Sequence, residues 1–272
     1  MPIAPVCLRR FPLVLRLALA SCAAAGGAAS LAACGEDASP ADGANGSFDD
    51  AGFIDEEADS GATKQRVDGG FIDTDGGVTR ADRFVTKVVS FTPGPCSGFG
   101  AASIPEIVLG PPVGAGDLQG SFDVVSLGIG GEIVVSFEPN AIVDGPGVDF
   151  IVFENAFFAG GNTSQPSADL GEVSVSEDGV TWKTFSCTTG GSAPYGTCAG
   201  WRPVYSAPGN GISPFDVDKA GGEPYDIGEL GLTTARFVRI RDLSSAPCEG
   251  QPKPNNFGFD LDAIAVVHAE TP

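Results

Sequence analysis

EVSVSEDGVTWKTF, residues 172–185, decides the fold. Val173 and Val175 alternate with polar residues, so one side of an extended strand is apolar. Asp178-Gly179 supplies a turn, because glycine accepts positive φ and aspartate bonds its own backbone. Trp182 and Phe185 then begin a returning strand, with Trp182 expected in the core. The stretch reads as a β-hairpin. Similar β-rich runs separated by turn signals lie on either side. They are FVTKVVSF (84–91), EIVLG (106–110), DVVSLG (123–128), GEIVVSFE (131–138), VDFIVFE (148–154), ARFVRIRD (235–242) and DLDAIAVVH (260–268). No segment carries a convincing amphipathic helix. Glycine and proline together make 60 of 272 residues, which favours turns and short strands. Nine or so strands after residue 84 imply an all-β domain, an antiparallel β-sandwich of jelly-roll type, over 84–272.

Charge and composition narrow the function. Lys plus Arg number 15 against 35 Asp plus Glu, a formal net charge of −20. Such a chain repels phosphate backbones, so nucleic acid is excluded as a partner. His268 is the single histidine. A His-based triad or a multi-histidine metal centre therefore cannot be built, and His268 reads as a surface residue.

The N-terminus reads as an export signal. Residues 1–33 hold three arginines and no acid, followed by an apolar run ending in Leu31-Ala32-Ala33-Cys34. LAAC resembles the bacterial lipobox, in which the cysteine is lipidated and becomes the first residue of the mature chain. A second match, LASC at 19–22, is less suitable, because polar sequence starts only after Cys34. Residues 34–83 are read as an acidic, disordered tether. Positions 35–83 carry 13 acids and four bases, with too few apolar residues to offset ordering entropy. Within it DAGFID (50–55) is echoed by DGGFID (68–73). A lipid anchor would place the protein at a bacterial cell envelope, at the outer membrane or cell surface, with the membrane as one partner.

The hairpin 172–185 resembles the V-x-V-S-x-D-G-x-x-W strand pair of galactose-binding-like, or discoidin-like, jelly rolls. ARFVRIRD resembles their penultimate strand and GFDLDAIAVV (258–267) their closing strand. SFDVVSLGIGGEIVVSF, DGPGVDFIVFEN and GGEPYDIGELG extend a similarity to a group of uncharacterised bacterial cell-surface proteins. The resemblance implies a jelly roll that binds glycan or extracellular matrix and holds a structural calcium. A structural or adhesion protein of the envelope with no small-ligand site is the alternative, and a glycoside hydrolase the third reading. A non-enzymatic role is expected.

Removing Cys7 and Cys22 with the signal and lipidating Cys34 leaves four cysteines in an exported chain, and three pairings. Cys187 and Cys198 lie 11 apart across a turn-rich loop and can close locally. Cys96 and Cys248 then pair by default.

The acids are the candidate metal ligands. Asp260 and Asp262, two apart in an apolar strand, share a face if the strand is regular. Asp149 and Glu154 flank FIVF, Asp242 ends the penultimate strand, and Asp226 sits in GGEPYDIG. Clustered carboxylates repel one another unless a cation joins them, and Ca²⁺ accepts six to eight such oxygens. By the resemblance, Asp262 matches a calcium-ligand position. The other account is separate turn-capping aspartates. Asp260 and Asp262 could also be read as a hydrolytic pair, but no second pair or cleft signature accompanies them. Trp201, Tyr195 and Tyr205 surround the Cys187–Cys198 loop and read either as local packing under the loop or as a sugar-stacking platform, the candidate ligand-binding residues.

Overall fold

The computed structural model describes residues 64–67, 70–72, 77–245, 247–248 and 255–272. The export signal 1–33, Cys34, positions 34–63 of the tether and the repeat copy at 50–55 lie outside these residues. Among the described residues the chain is all-β, with short strands in several antiparallel sheets and single 3₁₀ turns between them.

The largest sheet has five strands. In chain order they are β4 (Lys87–Thr92), β6 (Glu132–Ser136), β9 (Gly171–Ser176), β10 (Lys183–Thr184) and β13 (Phe237–Asp242). In space the order is β10-β9-β13-β6-β4. The hairpin expected at 172–185 is the β9–β10 pair, with Lys183 opposite Val175. Its loop spans 177–182, and Asp178 Oδ1 accepts from the N–H groups of Val180 and Thr181. Period-2 alternation sets the register of the centre. Ile240 lies opposite Ile133 and Val173, and Val238 opposite Val135 and Val175, all facing the core. The intervening Arg239 faces outward. Trp182 is not in the core but half-buried beside it, with the Arg239 guanidinium 4.5 Å above its ring. A long loop carries the tryptophan past the inner face, and the cation–π contact on the outer face holds it there.

A three-stranded sheet runs β11 (Glu223–Tyr225), β8 (Phe150–Phe153), β15 (Ala263–Val266) in space. All four residues of β8 are buried, as expected of an unbroken apolar run. Pro224 is tolerated in β11 because that strand is at an edge. Two ribbons, β7 (Ile142–Val143) with β12 (Thr234–Ala235) and β5 (Val125–Ser126) with β14 (Asp260–Leu261), complete this part. The inner faces of both larger sheets contribute to one hydrophobic core, an arrangement compatible with a β-sandwich.

Two expectations are corrected. EIVLG (106–110) is not a strand: Glu106–Val108 forms a 3₁₀ turn. Pro105 precedes it and Pro111-Pro112 follow, and three missing N–H groups prevent a ladder. Gly110 between them has φ +87°, against the Phe71 ring. The tether also ends earlier than residue 83. β1 (Arg66–Val67), β2 (Gly70–Ile72) and β3 (Val78–Arg80) form a small sheet. Phe71 is buried edge-to-face against Phe84 at 5.9 Å. Arg83 donates to the carbonyls of Val266 and Val267. Gly70–Ile72 of DGGFID and Arg83 thus belong to the domain.

Candidate functional site

The six carboxylates expected to hold one metal are distributed over separate places. Asp242 organises a loop. Its Oδ2 accepts from the N–H groups of Gly130 and Ser244, and its Oδ1 from Phe259 N–H and Ser244 Oγ–H, at 2.8–2.9 Å. Four bonds use its acceptor capacity, so Asp242 serves as a cap.

Asp262 is fully buried and pairs with Lys64. The ammonium lies 3.4 Å from Asp262 Oδ1 and 3.0 Å from Asp123 Oδ2, and donates to the Ile107 carbonyl at 2.7 Å. Val113 N–H donates to Asp262 Oδ2 at 2.8 Å. Desolvation nevertheless pushes Asp262 up to about 7, with Lys64 opposing the shift. The counter-ion is thus a lysine from the stretch read as tether. Asp260 and Asp262 do not act as a pair: a break between β14 and β15 gives each its own partners.

Asp149 sits at the start of β8. Its Oδ1 accepts from Gly145 N–H at 2.8 Å and contacts His268 Nδ1 at 2.9 Å, and its Oδ2 accepts from Ile227 N–H at 2.8 Å. Asp226 caps the 3₁₀ turn Ile227–Leu230 through Gly228 N–H. With Asp144, whose signal was missed, they bring three carboxylates together. Both Asp149 oxygens are already bonded and Asp144 is exposed, so the group is explained as turn capping. His268 is a partner of Asp149 and not a free surface residue.

Glu154 and Asp260 lie in the most acidic region of the interior. Glu154 is 3 % exposed; its Oε1 accepts from Asp260 N–H at 3.3 Å, and its Oε2 accepts nothing. Asp260 accepts from Ser126 Oγ–H and, at 3.5 Å, from Asn155 Nδ2–H. Glu223 on β11 is 2 % exposed and also near. Its Oε1 accepts from the N–H groups of Trp201 and Arg202 at 2.8 and 2.7 Å, while Oε2 has no partner. Desolvation, then Asp260 and Asp169, raise Glu154 well above its ordinary value. Burial pushes Glu223 up to about 7 and Asp260 up to about 6. Asp169, at the exposed rim, is raised to about 6 by desolvation and by Asp260 and Asp242. Sequence reading named Glu154, with Asn155 next to it, and Asp260, but missed Glu223 and Asp169. The Gly221-Gly222-Glu223 approach was the available signal: Gly222 lies where a methyl group would meet the Val152 carbonyl at 2.6 Å.

The aromatics are partly gathered. Tyr195 and Trp201 meet edge-on at 6.2 Å, and the Arg202 guanidinium lies 4.8 Å over the Trp201 ring. The Cys187–Cys198 bridge closes the loop bearing Tyr195, and Cys96 pairs with Cys248, with Cα separations of 4.6 and 6.0 Å. Tyr205 stands apart, 37 % exposed beside Gly221. On the other side of the loop, Thr197, Phe185, Pro224, Tyr225, Asp226 and Glu229 line a cleft of about 240 Å³. Tyr225 forms part of its wall, stacked on Phe150 at 5.0 Å and donating to the Thr197 carbonyl at 3.2 Å.

Compared with protein-family models and with curated proteins, the chain matches none of them.

Proposed function

We propose that this chain is a lipid-anchored protein of the bacterial cell surface whose domain is a galactose-binding-like jelly roll. In this reading the domain binds glycan or extracellular matrix and is stabilised by calcium. The observation that carries the binding role is the Tyr195–Trp201–Arg202 cluster on a disulfide-closed loop, backed by the cleft at Thr197 and Tyr225. Aromatic rings on a loop whose Thr197 also borders a cleft with Tyr225, Asp226 and Glu229 suit sugars, which offer apolar faces and hydroxyl rims. The jelly-roll type is supported by the sheet order, in which β13 lies between strands remote in sequence. Of the two carboxyls on the cleft wall, Asp226 is engaged in capping a 3₁₀ turn and Glu229 is exposed, which favours binding over hydrolysis. Calcium is supported at Glu154 and Asp260, where a buried oxygen lacks a partner.

One observation favours the alternative, an envelope structural or adhesion protein. Trp201 Nε1 is buried and the ring is already engaged by Arg202, as in local packing. A glycan array probed with the mature chain, from Cys34 onward, separates the two. At least one glycan class should bind in Ca²⁺, with a tenfold or greater loss in Trp201→Ala. Absence of binding with and without Ca²⁺, or binding indifferent to Trp201→Ala, would overturn the glycan reading.

A further inference from the structure

Three oxygen atoms on neighbouring elements are buried and accept no hydrogen bond: Glu154 Oε2, Asn155 Oδ1 and Glu223 Oε2. A buried acceptor left in this state is costly, the more so on a carboxylate. The β8–β11 register puts Glu223 opposite Val152. Glu154 follows directly after β8, two residues beyond Val152, and Glu223 acts on it electrostatically, so the two glutamates are neighbours. Asp260 adds a third carboxylate, joined to Glu154 through its N–H and to Asn155 through its Oδ2. Among the described residues no lysine or arginine forms an ion pair with Glu154, Glu223 or Asp260, whereas the equally buried Asp262 has Lys64. The set is all oxygen and mixes carboxylate and amide, and its one positive neighbour among the described residues, Arg202, acts on Glu223 at a distance without forming an ion pair. That is the chemistry of a hard divalent cation.

We propose that Glu154, Asn155 and Glu223 hold one divalent cation, calcium by donor type, and that the ion fixes Trp201 and Arg202 through Glu223. The proposal rests on the calcium reading above and adds its ligands and the element it controls. Glu223 is bifunctional. Oε1 grips the N–H groups of Trp201 and Arg202, and Oε2 is available to the ion. Coordination immobilises the carboxylate and thereby the start of the segment carrying the aromatic cluster. Calcium would then regulate ligand binding by setting the ring, in addition to stabilising the fold.

Terbium(III), a luminescent stand-in for calcium, tests this in the mature chain. Trp182→Phe leaves Trp201 as the sole tryptophan, so sensitised emission reports an ion beside it. The expected result is saturable emission displaced by Ca²⁺, with apparent affinity at least tenfold weaker in Glu154→Gln and in Glu223→Gln. Asp144→Asn, in the other acidic group, should leave it unchanged. Ca²⁺ should also shift the intrinsic emission of Trp201. If a glutamine variant fails to fold, Asn155→Ala carries the same expectation. No bound ion, an affinity insensitive to these ligands, loss in Asp144→Asn, or Trp201 emission indifferent to Ca²⁺ would each overturn the proposal. Terbium bound here by a chain that binds no glycan would sink the glycan reading and leave the cation site standing.

Discussion

Lys64 Nζ lies 3.4 Å from Asp262 Oδ1, 198 residues away in sequence, and both side chains are out of solvent. The contact joins the first described residue to the closing segment of the domain. It also explains how a fully buried aspartate stands in an apolar run. A carboxylate there needs a cation, and the chain supplies one of its own.

Replacing Lys64 by methionine should therefore destabilise the domain. Removing one partner of a buried pair costs about 3–5 kcal/mol. The Lys64→Met, Asp262→Asn double variant should recover part of that loss, because the uncompensated charge is gone. Urea unfolding of the four proteins of the cycle measures the coupling. Equal midpoints for wild type and Lys64→Met would show that the pair contributes nothing. A chain truncated to 84–272 should be weaker still, since it also loses Phe71 from its site against Phe84 and Gly110.

Stability should decline as pH rises through the acid-to-neutral range. Asp262 and Glu223 are raised to about 7, and Asp260 and Asp169 to about 6. Between about pH 4 and those values the folded chain holds protons that the unfolded chain has released. The unfolded state thus binds fewer protons, and unfolding free energy falls with pH across the window. Asp178 acts in the opposite sense in a lower range. Bonds from Thr181 and Val180 hold its carboxyl below the usual range, so its contribution is lost as pH falls below about 4. Urea melts in EDTA at pH 5 and pH 8 check the main trend. A higher midpoint at pH 8 would contradict it.

The two cysteine pairs should survive as disulfides in a non-reducing peptide map. Cys96–Cys248 closes a separation of 152 residues and Cys187–Cys198 one of 11. Converting Cys96 and Cys248 together to serine should lower stability by about 2–4 kcal/mol, mainly by releasing the unfolded chain. The same change at Cys187 and Cys198 should act more locally, loosening Tyr195 and weakening whatever the aromatic cluster binds. A peptide joining Cys187 to Cys96 would refute the pairing.

Lipidation is tested at Cys34. Mass spectrometry of protein from the native bacterial envelope should show an acylated N-terminal cysteine at this position, and Cys34→Ser should move the protein from the membrane to the soluble fraction. An unmodified mature N-terminus elsewhere would remove the anchor.

Local periodicity was enough for part of this protein. The alternation of Val173 and Val175, and of Val238 and Ile240, predicts strands whose inner faces are indeed core. FIVF predicts a buried strand, and the four cysteines that the expected processing would leave unmodified predict two bridges. Charge and composition separate the acidic stretch 35–83 from the β-rich remainder. These features are legible because each depends on neighbours within a few residues, or on composition alone. What escaped depends on groups outside the element itself, most of them distant in sequence. EIVLG has the residues of a strand, but flanking prolines and the Phe71 ring decide its 3₁₀ turn. Trp182 has the character of a core residue, and Arg239, more than fifty positions away, draws it to the outer face. The acids Asp149, Asp226, Asp242 and Asp262 look equivalent in sequence. Only the fold gives one Lys64, one a histidine, and others rows of N–H groups, while leaving Glu154 and Glu223 with unbonded oxygens. A carboxylate's chemistry is set by what remains within about 4 Å of it once water is excluded, and that shell is assembled by β-sheet register and loop closure from segments the sequence keeps far apart.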